Sequence, residues 1–177
     1  MLSIIAVIIK AVWLMLPAYI ANPTAVVFGG GTPIDFGKNW RDGRRILGNG
    51  KTFRGLFGGV ACGVIIGLLQ RQATASDIFI VPSITVVIAL SLGALLGDIV
   101  KSFFKRRLGF ERGAKLPLID QLDFVAGAWV LTYVFDPQWF NDNFTFWIII
   151  TVLVLTPVLH RLTNIIGYYI KVKKEPW

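Results

Sequence analysis

Five apolar runs divide the chain, at roughly 2–21, 53–69, 79–103, 118–135 and 144–166, and charge collects in the segments between them. Runs of about 20 residues are what a helix needs to cross a hydrocarbon core of about 30 Å. The pattern predicts an all-α, polytopic integral membrane protein with about five transmembrane helices in a single domain spanning 1–177. Loops 22–52 and 104–117 are expected to cover the inner ends of the helices. Pro82 can open the third run near its first turn, and Pro117 can sit just before the fourth. The second run is rich in glycine (Gly55, Gly58, Gly59, Gly63, Gly67), which permits close helix packing, and Gly59 and Gly63 fit a small-xxx-small spacing. The first run has no basic n-region and is interrupted by Lys10, so it reads as an uncleaved helix.

Composition sharpens the picture. The chain is 55% hydrophobic and only 16% charged, against about 25% charged in soluble domains. Lys38, Arg41, Arg44, Arg45, Lys51 and Arg54 crowd the first loop and its exit. The end of the third helix and the third loop hold Lys101, Lys105, Arg106, Arg107, Arg112 and Lys115. The second loop has only Arg71, the fourth has none, and the tail has Lys171, Lys173 and Lys174. Positive residues stay in the cytoplasm, which predicts a multi-pass cell-membrane protein with its N-terminus outside and its C-terminus cytoplasmic. Trp139, Phe140, Phe144 and Trp147 then suit the outer aromatic belt. The net charge of +8 is broken up by membrane spans and matches no groove-reading motif. It points to anionic headgroups or a phosphorylated substrate rather than nucleic acid. The single cysteine, Cys62, lies in an apolar run and supplies no disulfide; it reads as a small buried residue.

The first loop is about 30 residues long without clear periodicity, a length that usually marks function or disorder. Its interleaved Val26, Val27, Phe28, Ile34, Phe36, Trp40, Ile46 and Leu47 argue for order. Polar residues converge elsewhere. Asp98, Lys101, Ser102 and Lys105 are spaced to share one stripe at the inner end of the third helix. Asp120 and Asp123 share a face at the start of the fourth, on the same side of the membrane. Two readings stand: structural ion pairs with the neighbouring lysines, or oxygen ligands for Mg²⁺ shared with substrate phosphates. Other motifs fall short. Gly50-Lys51-Thr52 resembles the end of a P-loop, but Arg45 stands where glycine is required and no strand precedes it. Gly29-Gly30-Gly31 is a plain turn or a phosphate cradle. His160 has no partner in sequence for catalysis, and Lys10 can snorkel.

Gly97-Asp98-Ile-Val-Lys101-Ser102-Phe-Phe-Lys105-Arg106, followed by Leu116-Pro117-Leu-Ile-Asp120-Gln121-Leu-Asp123, resembles the signature of CTP-dependent phosphatidate cytidylyltransferases. Gly50-Lys51-Thr52-Phe53-Arg54-Gly55 resembles that family's upstream K-T-W-E-G element. The chain lacks His-Gly-Gly before the final aspartates, has Gln121 where arginine is usual and Arg54 where glutamate is usual, and is shorter. With Gly-Gly-Gly-Thr-Pro-Ile-Asp and Asp-Gly-Arg-Arg, these features are similar to the compact archaeal branch, the CDP-archaeol synthases, over nearly the whole chain.

The resemblance implies CTP and 2,3-bis-O-geranylgeranyl-sn-glycerol 1-phosphate as substrates, and CDP-activated ether lipid and pyrophosphate as products. An ionised phosphate monoester needs no general base to attack the α-phosphorus of CTP; it needs charge neutralisation and positioning. The expected metal ligands are Asp98, Asp120 and Asp123, holding Mg²⁺, with Asp98, Asp120 and Lys105 catalytic. Expected nucleotide or phosphate contacts are Lys51, Thr52, Lys101, Ser102, Lys105, Arg106, Arg112 and Lys115, with Asn22, Thr24 and Lys38 beside them. Membrane lipids are further partners, and a homodimer is left open. The alternatives are a CTP-dependent polyprenol or dolichol kinase and a small transporter with an acidic ion site. A kinase would want a base for its alcohol, and transporter sites lie nearer mid-membrane.

Overall fold

The protein is described by a computed structural model over residues 3–73, 80–111, 116 and 118–171. Among these residues there are six helices: α1 (Ile4–Val27), α2 (Phe53–Ala73), α3 (Ile84–Arg107), α4 (Ile119–Phe135), α5 (Pro137–Asn143) and α6 (Phe146–Tyr169). Extended pairing is limited to two isolated bridges, Pro33 with Thr52 and Asn39 with Arg45.

Backbone contact, made possible by glycine, sets the helix arrangement. A Cβ on Gly55, Gly59 or Gly63 of α2 would lie 2.7 Å from the carbonyl oxygens of Ala25, Ala21 and Pro17 respectively. The two series run in opposite directions, so α1 and α2 are antiparallel with their backbones touching. Cβ atoms on Gly59, Gly63 and Gly67 would also meet Leu95, Ser91 and Val87, which places α3 antiparallel to α2. Between α3 and α4, a Cβ on Gly93 would lie 2.5 Å from the Gly127 carbonyl oxygen, and one on Gly97 would strike the Asp123 carbonyl. This is the most intimate helix pair of the fold. Ring contacts of Phe124 with His160 and of Trp129 with Phe144 set α6 antiparallel to α4. One end of the bundle therefore gathers the C-terminal ends of α1, α3 and α6, the N-terminal ends of α2 and α4, and the connection 28–52.

Leu14, Met15, Val86, Leu90, Phe124, Val125 and Val152 fill the centre. The outer faces are apolar too: Phe57, Ile65, Val100, Phe104, Val130 and Val154 are all more than half exposed. Helices that are apolar all round need lipid for solvent. In such surroundings stranded backbone groups are costly. Pro17 cannot donate to the Trp13 carbonyl one turn back, and Gln70 Nε2 of α2 donates to it at 2.7 Å instead. α1, α2, α3 and α6 are each long and apolar enough to cross a membrane. α4 has 17 residues, or about 26 Å of helix, and its contact with α3 takes it through the same slab as the fifth crossing.

The helices depart from the apolar runs at their ends. α1 continues to Val27 instead of stopping at 21, so Asn22 and Thr24 are helical; the Thr24 hydroxyl is satisfied within the helix, 2.6 Å from the Ile20 carbonyl oxygen. α3 starts at Ile84, after Ser83 Oγ accepts the Val86 N–H at 3.2 Å, and runs to Arg107. Lys105, Arg106 and Arg107 thus extend a membrane helix rather than belonging to the loop 104–117. The short α5 was not expected; Asp136 caps it by accepting the Trp139 N–H at 3.0 Å, ahead of Pro137 in its first turn. Pro117, expected just before α4, lies outside the described residues.

Candidate active site

The connection 28–52 folds around one buried carboxylate. Asp35 accepts hydrogen bonds from the backbone N–H groups of Gly37 (3.1 Å), Leu47 (2.9 Å) and Gly48 (2.9 Å) and from Arg45 at 2.7 Å. Burial pushes this carboxyl up, but Arg45 and the three N–H donors outweigh it and hold it well below the usual carboxylate range. Leu47 is buried beneath the same turn. Three arginines then fasten the connection to the end of α3. Arg107 pairs with Asp42 at 2.6 Å and packs over Phe103, Arg44 donates to the Arg107 carbonyl at 3.0 Å, and Arg106 reaches the Leu47 carbonyl. Guanidinium groups at a helix C-terminus also match its dipole.

The docked connection ends at Lys51, which is fixed by Ile34 N–H donating to its carbonyl at 2.9 Å. Thr52 caps α2, its buried Oγ1 accepting the Gly55 N–H at 3.1 Å. Lys51 Nζ is thereby delivered to Asp98 Oδ2 on α3. Asp98 is the edge of a larger cluster. Lys101 Nζ stands 3.1 Å from Asp98 Oδ1, 3.4 Å from Asp120 Oδ1 and 2.7 Å from Asp123 Oδ2. Lys105 Nζ binds both oxygens of Asp120, at 3.0 and 3.1 Å. Asp120 Oδ2 also accepts the Leu116 N–H at 2.7 Å, tying the entry of α4 to the site.

Glycine explains why carboxylates from two helices meet here. Gly97 abuts the Asp123 carbonyl, and its Cα lies against Gly127, so the residues that follow on α3 and the first turns of α4 come to one depth. Three carboxylates face three ammonium groups, and the cluster is formally neutral. Lys101 occupies the point on which the three carboxylates converge. Among the described residues no trio of acidic, histidine or cysteine side chains stands in a ready-made metal-ligating arrangement.

Asp98, Asp120, Asp123, Lys51, Lys101 and Lys105, each anticipated from sequence, are thus brought together. Ser102 is buried next to them on α3, but its hydroxyl donates back to the Asp98 carbonyl at 2.8 Å. Thr52 acts as the cap of α2, and Arg106 anchors the loop. Thr24 is bonded into α1, Asn22 lies in the same helix, and Lys38 is exposed on the connection, its backbone N–H donating to the Asp35 carbonyl at 2.8 Å. Arg112 and Lys115 lie outside the described residues. His160 stacks on Phe124, with Asn164 3.4 Å from its Nδ1, and is no part of the cluster. Asp35 and its partners were not anticipated. Asp35 ends the Gly-Gly-Gly-Thr-Pro-Ile-Asp stretch and Arg45 the Asp-Gly-Arg-Arg stretch, and Asp35-Phe-Gly37 has the spacing of an aspartate that turns onto the N–H two residues on, but nothing in the sequence joins the two stretches.

The chain is thus a polytopic helical bundle of membrane-spanning character with an aspartate–lysine cluster inside the end that collects its loops. A family model described as CarS-like CDP-archaeol synthase matches residues 4–177. The chain is 56% identical over 175 residues to the CDP-archaeol synthase of Methanosarcina barkeri and 59% identical over 174 residues to that of Methanocella arvoryzae. In both cases 92% of this chain and 100% of the relative are covered. A solved structure of an intramembrane enzyme for archaeal membrane lipids biosynthesis superposes with a TM-score of 0.75 at 41% identity, over 89% of this chain and 94% of that one. The chain belongs to the CDP-archaeol synthase family, and with it to the membrane-embedded cytidylyltransferases of archaeal lipid synthesis.

Proposed function

We propose that this protein transfers the cytidylyl group of CTP to 2,3-bis-O-geranylgeranyl-sn-glycerol 1-phosphate, giving the CDP-activated ether lipid and pyrophosphate, with Mg²⁺ as cofactor. The observation that carries the reading is the convergence of Asp98, Asp120 and Asp123 on a single cation, the Lys101 ammonium. Hard carboxylate oxygens aimed at one point fit Mg²⁺. These three residues would hold the metal, which when bound neutralises phosphate charge and stabilises the leaving pyrophosphate.

The lysines do the complementary work. Lys51, Lys101 and Lys105 each rest on a carboxylate, and an incoming phosphate offers an anionic partner of the same kind. Exchange of carboxylate for phosphate would free the aspartates for a cation, so that with both bound no ion is left orphaned in an apolar setting. The lipid phosphate, with a second pKa near about 6, is already largely ionised at neutral pH, so the absence of a histidine from the cluster is no obstacle. The loops and the cluster face the cytoplasm in this reading, where CTP is found, and the N-terminus lies outside.

Purified protein with labelled CTP, Mg²⁺ and the ether-lipid phosphate should yield CDP-lipid and pyrophosphate. Chelation should abolish turnover, and Mg²⁺ should restore it. In sealed vesicles, external CTP should be used only when the cytoplasmic face is outward. Phospholipid plus CDP would identify a kinase instead, and full turnover in excess chelator would remove the metal.

A further inference from the structure

We infer that the connection 28–52 presents an aromatic and basic face to the headgroup layer of the leaflet at its own end of the bundle, so that membrane lipid phosphates help to hold it in place. Two rings of the connection lie open: Phe36 is 65% exposed and Trp40 46%. Phe36 packs on Phe53, the first residue of α2, and Trp40 meets Phe103, near the end of α3, edge to face; both centroid separations are 5.4 Å. Leu96, Val100, Phe103 and Arg107 follow one another at steps of four, three and four, so they form a single stripe of α3. Leu96 and Val100 are exposed along that stripe, and Trp40 covers its far end, with the Arg107 guanidinium 5.9 Å from the ring centre. On α2, Phe57 stands one turn from Phe53 and is more than half exposed. Each open ring of the connection thus sits where a lipid-facing stripe reaches the end of its helix, the depth at which amphipathic rings such as tryptophan collect.

Phe36 is also strained: its φ of 50° is left-handed, which is costly for a bulky residue. In water an exposed ring would gain nothing to offset that cost, whereas contact with lipid restores its burial. Charge identifies the layer. Lys38 and Arg41 flank Trp40 in sequence and are both exposed. The nearby acids Asp35 and Asp42 are taken by Arg45 and Arg107, and among the described residues neither Lys38 nor Arg41 has an acidic partner. Two unpaired cations beside two interfacial rings match a layer of lipid phosphates. A soluble acidic partner would answer the cations but not the rings, which continue the lipid-facing stripes. Because the same connection delivers Lys51 to Asp98, the leaflet becomes a support of the cluster beside the Asp35 turn and the Arg107 anchor.

The full chain in nanodiscs tests this without turnover. In a Cys62→Ala background, bimane on Phe36→Cys or Trp40→Cys should be quenched most by a nitroxide at the lipid headgroup. Bimane on Phe57→Cys, deeper along α2, should be quenched most by a nitroxide in the acyl chain. Bimane at positions 36 and 40 that neither lipid probe quenches would overturn the proposal and turn the face towards soluble partners. Stronger quenching there by the acyl-chain probe would overturn it as well, by placing the face in hydrocarbon. A second measurement leaves both rings in place. A basic residue near an anionic leaflet contributes roughly a fivefold factor, so replacing neutral by anionic lipid should slow proteolytic cleavage within 28–52 severalfold in wild type. The Lys38→Glu, Arg41→Glu double variant should show no such slowing. Cleavage of wild type that ignores lipid charge, or equal slowing in both proteins, would overturn the proposal.

Discussion

Gly97→Ala tests whether helix contact sets the chemistry. One methyl group added at residue 97 would collide with the Asp123 carbonyl and lie 3.1 Å from the Gly127 Cα. Carbon atoms pack best at about 3.5–4.0 Å, so the start of α4 would have to withdraw by roughly 1 Å. Lys101 stays on α3, while Asp123, now 2.7 Å from it, moves with α4 to roughly 3.7 Å, beyond hydrogen-bonding distance. A misplacement of about 1 Å at reacting groups can cost on the order of 10²-fold in rate, equivalent to about 2.7 kcal/mol. Overpacking on its own typically costs 1–3 kcal/mol of stability, so activity and stability must be read separately. Gly67→Ala is the control. The atoms nearest its Cβ would all belong to the Val87 side chain, on the α2–α3 contact far from the cluster. Turnover and thermal unfolding of both variants in nanodiscs should show similar destabilisation, with the hundredfold loss of kcat confined to Gly97→Ala. Gly97→Ala retaining activity within threefold of wild type would refute the link between glycine contact and site geometry, as would an equal loss in Gly67→Ala.

Asp98→Asn, Asp120→Asn and Asp123→Asn should each lower kcat/KM by on the order of 10²-fold, several kcal/mol of a metal clamp at about 1.4 kcal/mol per decade. Asp136→Asn and Asp142→Asn, at the opposite end of the bundle, should stay within a few-fold; inner variants that keep activity but melt early would make the cluster structural. Asp35 titrates below its unfolded value, so its stabilisation is complete above the ordinary carboxylate pKa of about 3.9 and drains away as pH falls from there towards its lowered value in the folded chain. Limited proteolysis of 28–52 should therefore show a protection gap between wild type and Asp35→Asn that is wide at neutral pH and narrows in acid, and a pH-independent gap would contradict the assignment.

Much of this was legible in the sequence because membrane helices and carboxylates each leave strong marks. Apolar length revealed the spans, and the i, i+3, i+7 spacing of Asp98, Lys101 and Lys105 placed them on one face before any contact was known. The glycines of α2 announced close packing, though not that they press on the carbonyls of Pro17, Ala21 and Ala25. The helix ends were harder: Asn22-Pro23-Thr24 looks like a break, yet α1 runs through it to Val27, with the Thr24 hydroxyl on the Ile20 carbonyl of its own helix. Lys101 was expected to contact phosphate, and only the antiparallel approach of α4 shows it standing among the carboxylates. The Asp35 turn went unread because Arg45, Leu47 and Gly48 lie 10 to 13 residues away in sequence with no periodicity to link them to it.

The cluster makes little sense as a device for stability. Taking charges into a low-dielectric setting costs several kcal/mol per ion, and well-packed apolar replacements for buried ion pairs are often neutral or stabilising. Three pairs placed where α3 and α4 touch through glycine would be an inefficient way to join two helices that already meet backbone to backbone. What paired lysines and aspartates provide is a neutral resting state whose members can change partners. An anion that displaces the carboxylates from Lys51, Lys101 and Lys105 releases the same carboxylates for a cation, so anion and cation favour each other's binding even where neither would be drawn strongly to a balanced site. The docked connection is part of that logic. Lys51 reaches Asp98 only because Asp35 folds the chain behind it and Arg107 pins that fold to α3. Glycine contact and the Asp35 turn thus converge on one result, the meeting of Lys51, Lys101 and Lys105 with Asp98, Asp120 and Asp123 at one depth in the membrane.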